Sequence, residues 1–318
     1  MKFYNREQEL AQLERQEILK TDGSVMTVLT GRRRIGKTEL VLEHVKNHRF
    51  LYLFITRKNE HLLCNDFVAS IRKEFDFPIL GEIKRFPDLF RLLLEISKTE
   101  PFTLIIDEFQ DFFYINDTIY SEIQKYWDLN KNNSHLHVIF VGSIYSLMHK
   151  IFQDKKEPLF GRADKIIHLN PFSIKTLAMI LSDQKAFSGK NLFDLYVITG
   201  GSPKYIDIFL KNKATTFKMM LECIFEKDSL FLQEGKYLLI EAFGKEYSTY
   251  FSILALIASG KNSRNELSSF LDKDVGSYLQ RLREDYAIIS VIKPINALPK
   301  NRLQKYKIKD NFLSFWFR

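Results

Sequence analysis

The residues GRRRIGKT at positions 31–38 constrain this chain more than any other stretch. They satisfy the pattern Gly-x-x-x-x-Gly-Lys-Ser/Thr between an apolar, β-branched segment at 25–29 and a segment of helical character at 39–47. That context makes the match more than a glycine-rich turn. Gly31 and Gly36 permit backbone angles that a side chain would obstruct, so successive amide groups can point inward at phosphate oxygens. The helix that follows adds its positive N-terminal end. Lys37 is placed to reach β- and γ-phosphates, and Thr38 to offer its hydroxyl to a magnesium ion. Arg32, Arg33, Arg34 and Ile35 inside the loop, and Glu39 just after it, belong to the site by position. The three arginines face nucleotide, a partner protein or solvent, and the sequence assigns them no role.

Around this loop, short apolar runs alternate with helical segments. Strands are expected at 25–29, 49–56, 103–106, 137–141 and 166–169, and helices at 6–20, 39–47, 67–75, 88–97 and 118–130. Short strands apolar on both sides imply a mainly parallel sheet covered by helices on both faces. The expected fold is therefore α/β: a parallel-sheet P-loop NTPase domain over residues 1–170.

The strand LIIDE at 104–108 ends in two carboxylates at the sheet edge where ligands bind in open α/β folds. Asp107 is the expected magnesium ligand, directly or through water. Glu108 would orient and polarise an attacking water. A strand ending in Asp-Glu is weak evidence alone and strong evidence beside a complete P-loop. VIFVGS at 138–143 delivers Ser143 to the same edge, where its hydroxyl would touch the γ-phosphate or the water; a plain strand-end turn is the alternative. Arg162, in PLFGRAD, is a candidate for stabilising transition-state charge, donated by a neighbouring molecule. Arg6 is a candidate seal between the first helix and the nucleotide. Each of these arginines is equally well read as a structural one.

Beyond residue 170 the pattern changes. Helical periodicity runs from about 173 to 243, interrupted by Gly200, Gly201 and Pro203, and reads as a helical lid over 171–245. From 246 to 310, three helices (251–258, 263–271, 274–284) and two strands (288–293, 304–308) flank the loop NALPKN, which is the order of a winged helix. Ser263 and Glu266 have the spacing of a reciprocal cap. Residues 311–318 read as a tail or linker.

Composition only trims this picture. The chain has 318 residues and a formal net charge of +8, which weakly favours a polyanionic partner. The two cysteines, Cys64 and Cys223, stand far apart in apolar stretches and form neither a disulfide framework nor a metal motif. Seven histidines are scattered without ligand spacing, so zinc chemistry is not expected. The polar start MKFYNREQELAQLERQ is no signal peptide, and no apolar run approaches the roughly 18 residues of a membrane span. A cytoplasmic protein without membrane association is expected.

Taken together, the motifs resemble the archaeal-type ATPases of the AAA+ class, in the branch grouped with the STAND signalling NTPases. The resemblance covers nearly the whole chain: the opening NREQELAQLER, the arginine-rich loop GRRRIGKT, LIIDEFQ, VGSIYSLM, PLFGRAD with LNPFS, ITGGSPKYI at 198–206 and KIKDNFLSFWFR at 307–318. It implies ATP as the nucleotide, with Mg²⁺, and a lid in which Gly201 and Pro203 register nucleotide state; a helix-breaking turn is the alternative for those two. The chain departs from a common AAA+ arrangement in showing no clear lid arginine. Many relatives continue past the last motif into a nuclease-like domain; this sequence stops at Arg318, either as a truncation or as a chain that acts without that module. Pro87-Asp88 and Glu234-x-Lys236 echo a nuclease constellation but fall in helical segments. The reading is an ATP-driven conformational switch with ATPase activity. An ATP-regulated DNA-binding protein and a nucleotide-locked signalling or defence scaffold stand as alternatives. ATP-dependent homo-oligomers and a DNA or protein client at the winged helix are the expected partners. The third helix of that segment, DVGSYLQRLREDY, mixes Arg281 and Arg283 with acidic residues and offers no clean basic face. Lys300, Arg302, Lys305 and Lys307 could touch a phosphate backbone, or form a solvated hairpin.

Overall fold

The computed structural model describes residues 2–79, 81–293 and 304–318. The loop NALPKN, with Lys300, and the neighbouring Arg302 lie outside the described residues. The chain divides into two compact units, one of Arg6–Arg32 with Gly36–Asn170, the other of Met1–Asn5, Arg33–Ile35 and Pro171–Arg318.

The first unit is built on five parallel strands, β1 (Val25–Thr30), β2 (Phe50–Phe54), β3 (Phe102–Asp107), β4 (Leu136–Gly142) and β5 (Lys165–His168), in the order β2-β3-β4-β1-β5. Every residue of β1, β3 and β4 is buried. Strands covered on both faces have no polar side to alternate with, which is why these three read as continuous apolar runs. The covering helices are Glu7–Leu19, Lys37–His44, Glu60–Glu74, Phe86–Ile96, Ile119–Asn130 and Tyr145–Gln153.

Two of those helices differ from the sequence expectation. The one expected at 67–75 begins at Glu60, where the Asn59 side chain accepts from the His61 amide. Its buried stripe, Leu63, Cys64, Phe67 and Ile71, keeps helical spacing through polar neighbours. Tyr145–Gln153 was not anticipated; it buries Met148, Ile151 and Phe152. Phe152 meets Phe109 and Phe140, with ring centroids 5.7 and 5.5 Å apart, in the aromatic core beneath β3 and β4.

The second unit is helical from Ile174 to Phe243, through Ile174–Asp183, Gly189–Thr199, Pro203–Lys211, Phe217–Phe225 and Leu230–Phe243. Glu234 and Lys236 lie on the last of these, and Pro87 and Asp88 on the helix Phe86–Ile96 of the first unit. Three further helices follow, Tyr247–Ala258, Arg264–Leu271 and Gly276–Glu284, and then the antiparallel pair β6 (Ile289–Ile292) and β7 (Lys305–Ile308). The Ser263–Glu266 reciprocal cap is formed. Residues 311–318, expected as a tail or linker, contain instead the helix Asn311–Trp316, capped by Asp310. Phe312 and Leu313 are buried in this unit's core, and the Trp316 indole donates to the Phe231 carbonyl at 2.8 Å. Apolar side chains five and six residues from the chain end drive that docking. No helix among the described residues is long and apolar enough to cross a membrane.

Candidate nucleotide site

Strand order sets the site. β4 lies between β1 and β3, so the turn after β4 lies between the P-loop and the acid pair on one sheet edge. The strands run parallel and in register, so Thr30, Gly142 and Asp107 end them at that edge together. A crevice at the carboxyl ends of parallel strands is where such sheets bind ligands.

Gly36 takes the left-handed conformation, φ 84°, and opens the helix Lys37–His44. A side chain there would strain the turn that aims the helix start. Lys37 is buried and donates to the carbonyls of Gly31 and Arg32, each at 3.0 Å. Its ammonium is thereby held against the loop it serves. Thr38 Oγ1 donates to Asp107 Oδ2 at 2.8 Å. Asp107 is 3% exposed and accepts on the same oxygen from the Tyr52 hydroxyl, also at 2.8 Å. Burial first, and then the Asp107 charge, push the Tyr52 hydroxyl well above its usual range, so it stays a donor. A hydroxyl and a buried carboxylate in contact form a hard oxygen pair of the kind Mg²⁺ prefers.

Glu108 is turned elsewhere. Its backbone is left-handed, φ 54°, which separates its side chain from that of Asp107. Its Oε2 accepts from Ser143 Oγ at 2.6 Å and from the Gln110 amide. Gln110 is fully buried, and its Oε1 has no hydrogen-bond partner. Gly142 is required beside it: a Cβ there would lie 2.3 Å from Met148 Sδ and 2.5 Å from Gln110 Oε1.

The structure thus brings together Gly31, Lys37, Thr38, Asp107, Glu108 and Ser143, with Arg32 present through its carbonyl and Glu39 in the first turn of the helix. Arg6 reaches the same edge: it is buried, and its guanidinium donates to the Asn170 carbonyl at 2.8 Å, just past the end of β5. Arg162 does not join them. It pairs with Asp128 at 3.0 Å, two residues before Asp164, whose backbone and side chain bond Met26 at the start of β1. It therefore lies toward the opposite sheet edge, about 15 Å away along a six-residue strand. Tyr52 and Gln110 were not singled out by sequence reasoning. Gln110 sits in the quoted LIIDEFQ, but only the strand pairing brings Tyr52 to Asp107.

Arg33, Arg34 and Ile35 belong to the other unit. There Arg34 Nε donates to Glu234 Oε1 at 2.8 Å, Arg33 pairs with Glu241, and the Tyr205 hydroxyl donates to Glu234. The Arg34 carbonyl accepts from the Ser202 hydroxyl and the Lys204 amide, at the start of the helix Pro203–Lys211. Pro203 occupies the first helical position, where its missing N–H costs nothing. Gly201 has φ 79°, and a Cβ there would lie 2.3 Å from the Phe172 carbonyl oxygen.

A P-loop, an acid pair on a separate strand and one strand between them define a P-loop NTPase core, followed in the chain by a helical segment. Residues 3–209 match the family of ATPase domains found predominantly in Archaea, and the chain belongs to that family. It is accordingly an ATP-binding, ATP-hydrolysing P-loop protein. An uncharacterized protein of Methanocaldococcus jannaschii is 29% identical over 99% of this chain and 68% of its own length. Among solved structures, the Walker-type ATPase of Pyrococcus abyssi superposes with a TM-score of 0.73 at 18% identity, covering 99% of this chain and 96% of that one. The Aeropyrum pernix ORC2 protein, solved as ADPNP–ADP complexes, gives 0.67 at 16% identity over 99% and 92%. At these identities the likeness is one of fold.

Proposed function

We propose that this chain is a Mg²⁺-dependent ATPase that works as a conformational switch. The observation that carries the reading is the division of labour between adjacent carboxylates: Asp107 is held by Thr38, while Glu108 is turned away and held by Ser143 and Gln110. Binding alone needs only the first. Magnesium-bound ATP supplies a polarised γ-phosphate at the loop. Thr38 and Asp107 hold the metal, Lys37 and the loop amides from Gly31 to Thr38 hold the phosphates, and Glu108 takes the proton of a water aligned with Ser143. Arg6 fixes the first helix beside the site. Arg162 is donated to a neighbour's site in an ATP-dependent homo-oligomer.

Residues 1–170 form the ATPase core, 171–245 the lid shaped at Gly201 and Pro203, and 246–310 a winged helix, in a cytoplasmic protein. The client at that winged helix is a protein rather than DNA. Arg264 pairs with Asp274, Arg281 with Glu246 and Arg283 with Glu284, so the arginines of the helices Arg264–Leu271 and Gly276–Glu284 already hold carboxylates, which leaves Lys305 and Lys307 of β7 as the described cations for a phosphate backbone. The ADPNP and ADP bound by the ORC2 relative support an adenine nucleotide here. Steady-state ATP turnover, with and without Mg²⁺ and duplex DNA, tests the reading. Mg²⁺-dependent turnover that is indifferent to DNA supports it. Nucleotide binding without turnover under any condition replaces it with a nucleotide-locked scaffold, and stimulation by DNA replaces the protein client.

A further inference from the structure

Away from the nucleotide edge, at the far end of the helix Lys37–His44, side chains that the sequence leaves scattered converge. Glu14 and Glu17 come from the helix Glu7–Leu19, His44 and His48 from the end of the P-loop helix and the turn after it, and His137 from β4. We propose that Glu14, His44 and His48 bind a divalent transition-metal ion of the zinc kind, with Glu17 as the carboxylate that orients both imidazoles.

Glu14 Oε2 lies 3.6 Å from His44 Nδ1 and 3.1 Å from His48 Nε2. A tetrahedral ion bound at about 2.0–2.1 Å has ligand–ligand edges of about 3.3–3.4 Å; the two edges from Glu14 lie on either side of that length, and all three ligand atoms lie within 4.8 Å of one another. His44 ends the helix Lys37–His44, and the tight turn Val45–Asn47 brings His48, whose backbone is extended, back beside it, with the two ring centroids 5.1 Å apart. The opposite ring nitrogens of both histidines face one carboxylate: His44 Nε2 is 3.9 Å from Glu17 Oε2, and His48 Nδ1 is 3.8 Å from Glu17 Oε1. Closing these contacts to hydrogen-bond length would give the carboxylate–histidine–metal arrangement, in which the outer carboxylate fixes the tautomer that leaves the inner nitrogen free to ligate.

The independent sign is His44 itself. The residue is 7% exposed, and its Nε2 is buried without a hydrogen-bond partner. A neutral imidazole buried with an unsatisfied nitrogen is costly. A metal on Nδ1 places the proton on Nε2 and directs it at Glu17, and a ring shift of about 0.5–1 Å turns that 3.9 Å contact into a hydrogen bond. The alternative triad of Glu17, His44 and His137 is the weaker one. Glu17 Oε2 already accepts from Thr103 at 2.7 Å and contacts His137 Nδ1 at 2.7 Å, while His137 Nε2 is engaged by Thr27. Glu14 and His48 reach solvent, with side chains 50% and 25% exposed, so an ion has a path in and a fourth position for water. Two imidazoles select zinc-type ions over Mg²⁺, which takes oxygen ligands. Six residues of helix, about 9 Å, separate this site from Thr38, so it is distinct from the magnesium position.

The test uses full-length, tag-free, metal-stripped protein without nucleotide, titrated with Zn²⁺ in competition with a chromophoric chelator, and with Co²⁺ followed by its visible spectrum. We expect one tight equivalent per chain and the intense bands of tetrahedral Co²⁺. His48→Ala and Glu14→Ala, both at the surface, each weaken binding at least about tenfold, and Asp107→Asn leaves it unchanged. The absence of saturable binding, binding indifferent to His48→Ala, or binding lost in Asp107→Asn would each overturn the proposal.

Discussion

Asp107 and Glu108 adjoin in the chain, yet the left-handed turn at Glu108 sends their carboxylates to different work. Replacing Glu108 by Gln keeps size and hydrogen-bonding capacity but removes the proposed base. Turnover is expected to fall by about 10²–10⁴, the usual worth of a positioned general base, with ATP affinity unchanged in equilibrium binding. An unchanged rate would remove Glu108 from the mechanism. The P-loop and the acid pair were legible because each is a local pattern anchored to its own strand. Tyr52 was not, because its contact with Asp107 depends on the β2–β3 register, in which Tyr52 stands opposite Ile105. The histidine cluster escaped for a similar reason: Glu14 stands 30 residues before His44 and meets it only where the helix Glu7–Leu19 packs beside the helix Lys37–His44. Cys64 gives a second expectation at this scale. Burial, followed by the charges of Glu60 and Asp88, pushes its thiol up to about 12. Native protein at pH 8 should leave Cys64 unalkylated by iodoacetamide, as read by mass spectrometry, and unfolding in urea should expose it. Rapid native labelling would contradict the burial.

Elements were legible where periodicity and caps agreed. The Ser263–Glu266 cap is written in the sequence and formed in the structure, so Ser263→Ala should cost about 1 kcal/mol in urea unfolding. The helix Tyr145–Gln153 was missed because its nine residues span little more than two turns and show too little period, although Gly142 and Ser143 mark the turn before it. The helix Asn311–Trp316 was missed because six residues are too few to show a period. It is held by tertiary contacts instead, Trp316 lying over Gly235, where a Cβ would meet the indole at 2.3 Å. Gly201 joins two such considerations at one position. Its left-handed backbone and its approach to Phe172 both exclude a side chain, so Gly201→Ala should destabilise by about 1–3 kcal/mol from overpacking alone. A neutral result in thermal or urea unfolding would show that the Phe172 segment can yield.

At the scale of the whole molecule, the chain enters and leaves each unit more than once, and residues 33–35 of the phosphate loop belong to the C-terminal unit. A change in the loop should therefore be read in the stability of that unit. Glu234 is 7% exposed, and its carboxylate is met by Arg34 and Tyr205. Breaking a fully buried pair by removing one partner costs about 3–5 kcal/mol, because the remaining charge stays desolvated. Arg34 is partly exposed, with a side chain 36% accessible, so screening reduces the expected loss for Arg34→Ala to about 1–2 kcal/mol. Glu234→Gln in the same background removes the stranded charge and should restore part of that stability, whereas two independent sites would give additive losses. Urea unfolding of the four proteins of this cycle measures the coupling directly. A double variant as unstable as the sum of the two single changes would mean that Arg34 serves the loop alone. Recovery would mean that Arg33–Ile35 and the helix Leu230–Phe243, both of the C-terminal unit, are stabilised by one shared charge pair.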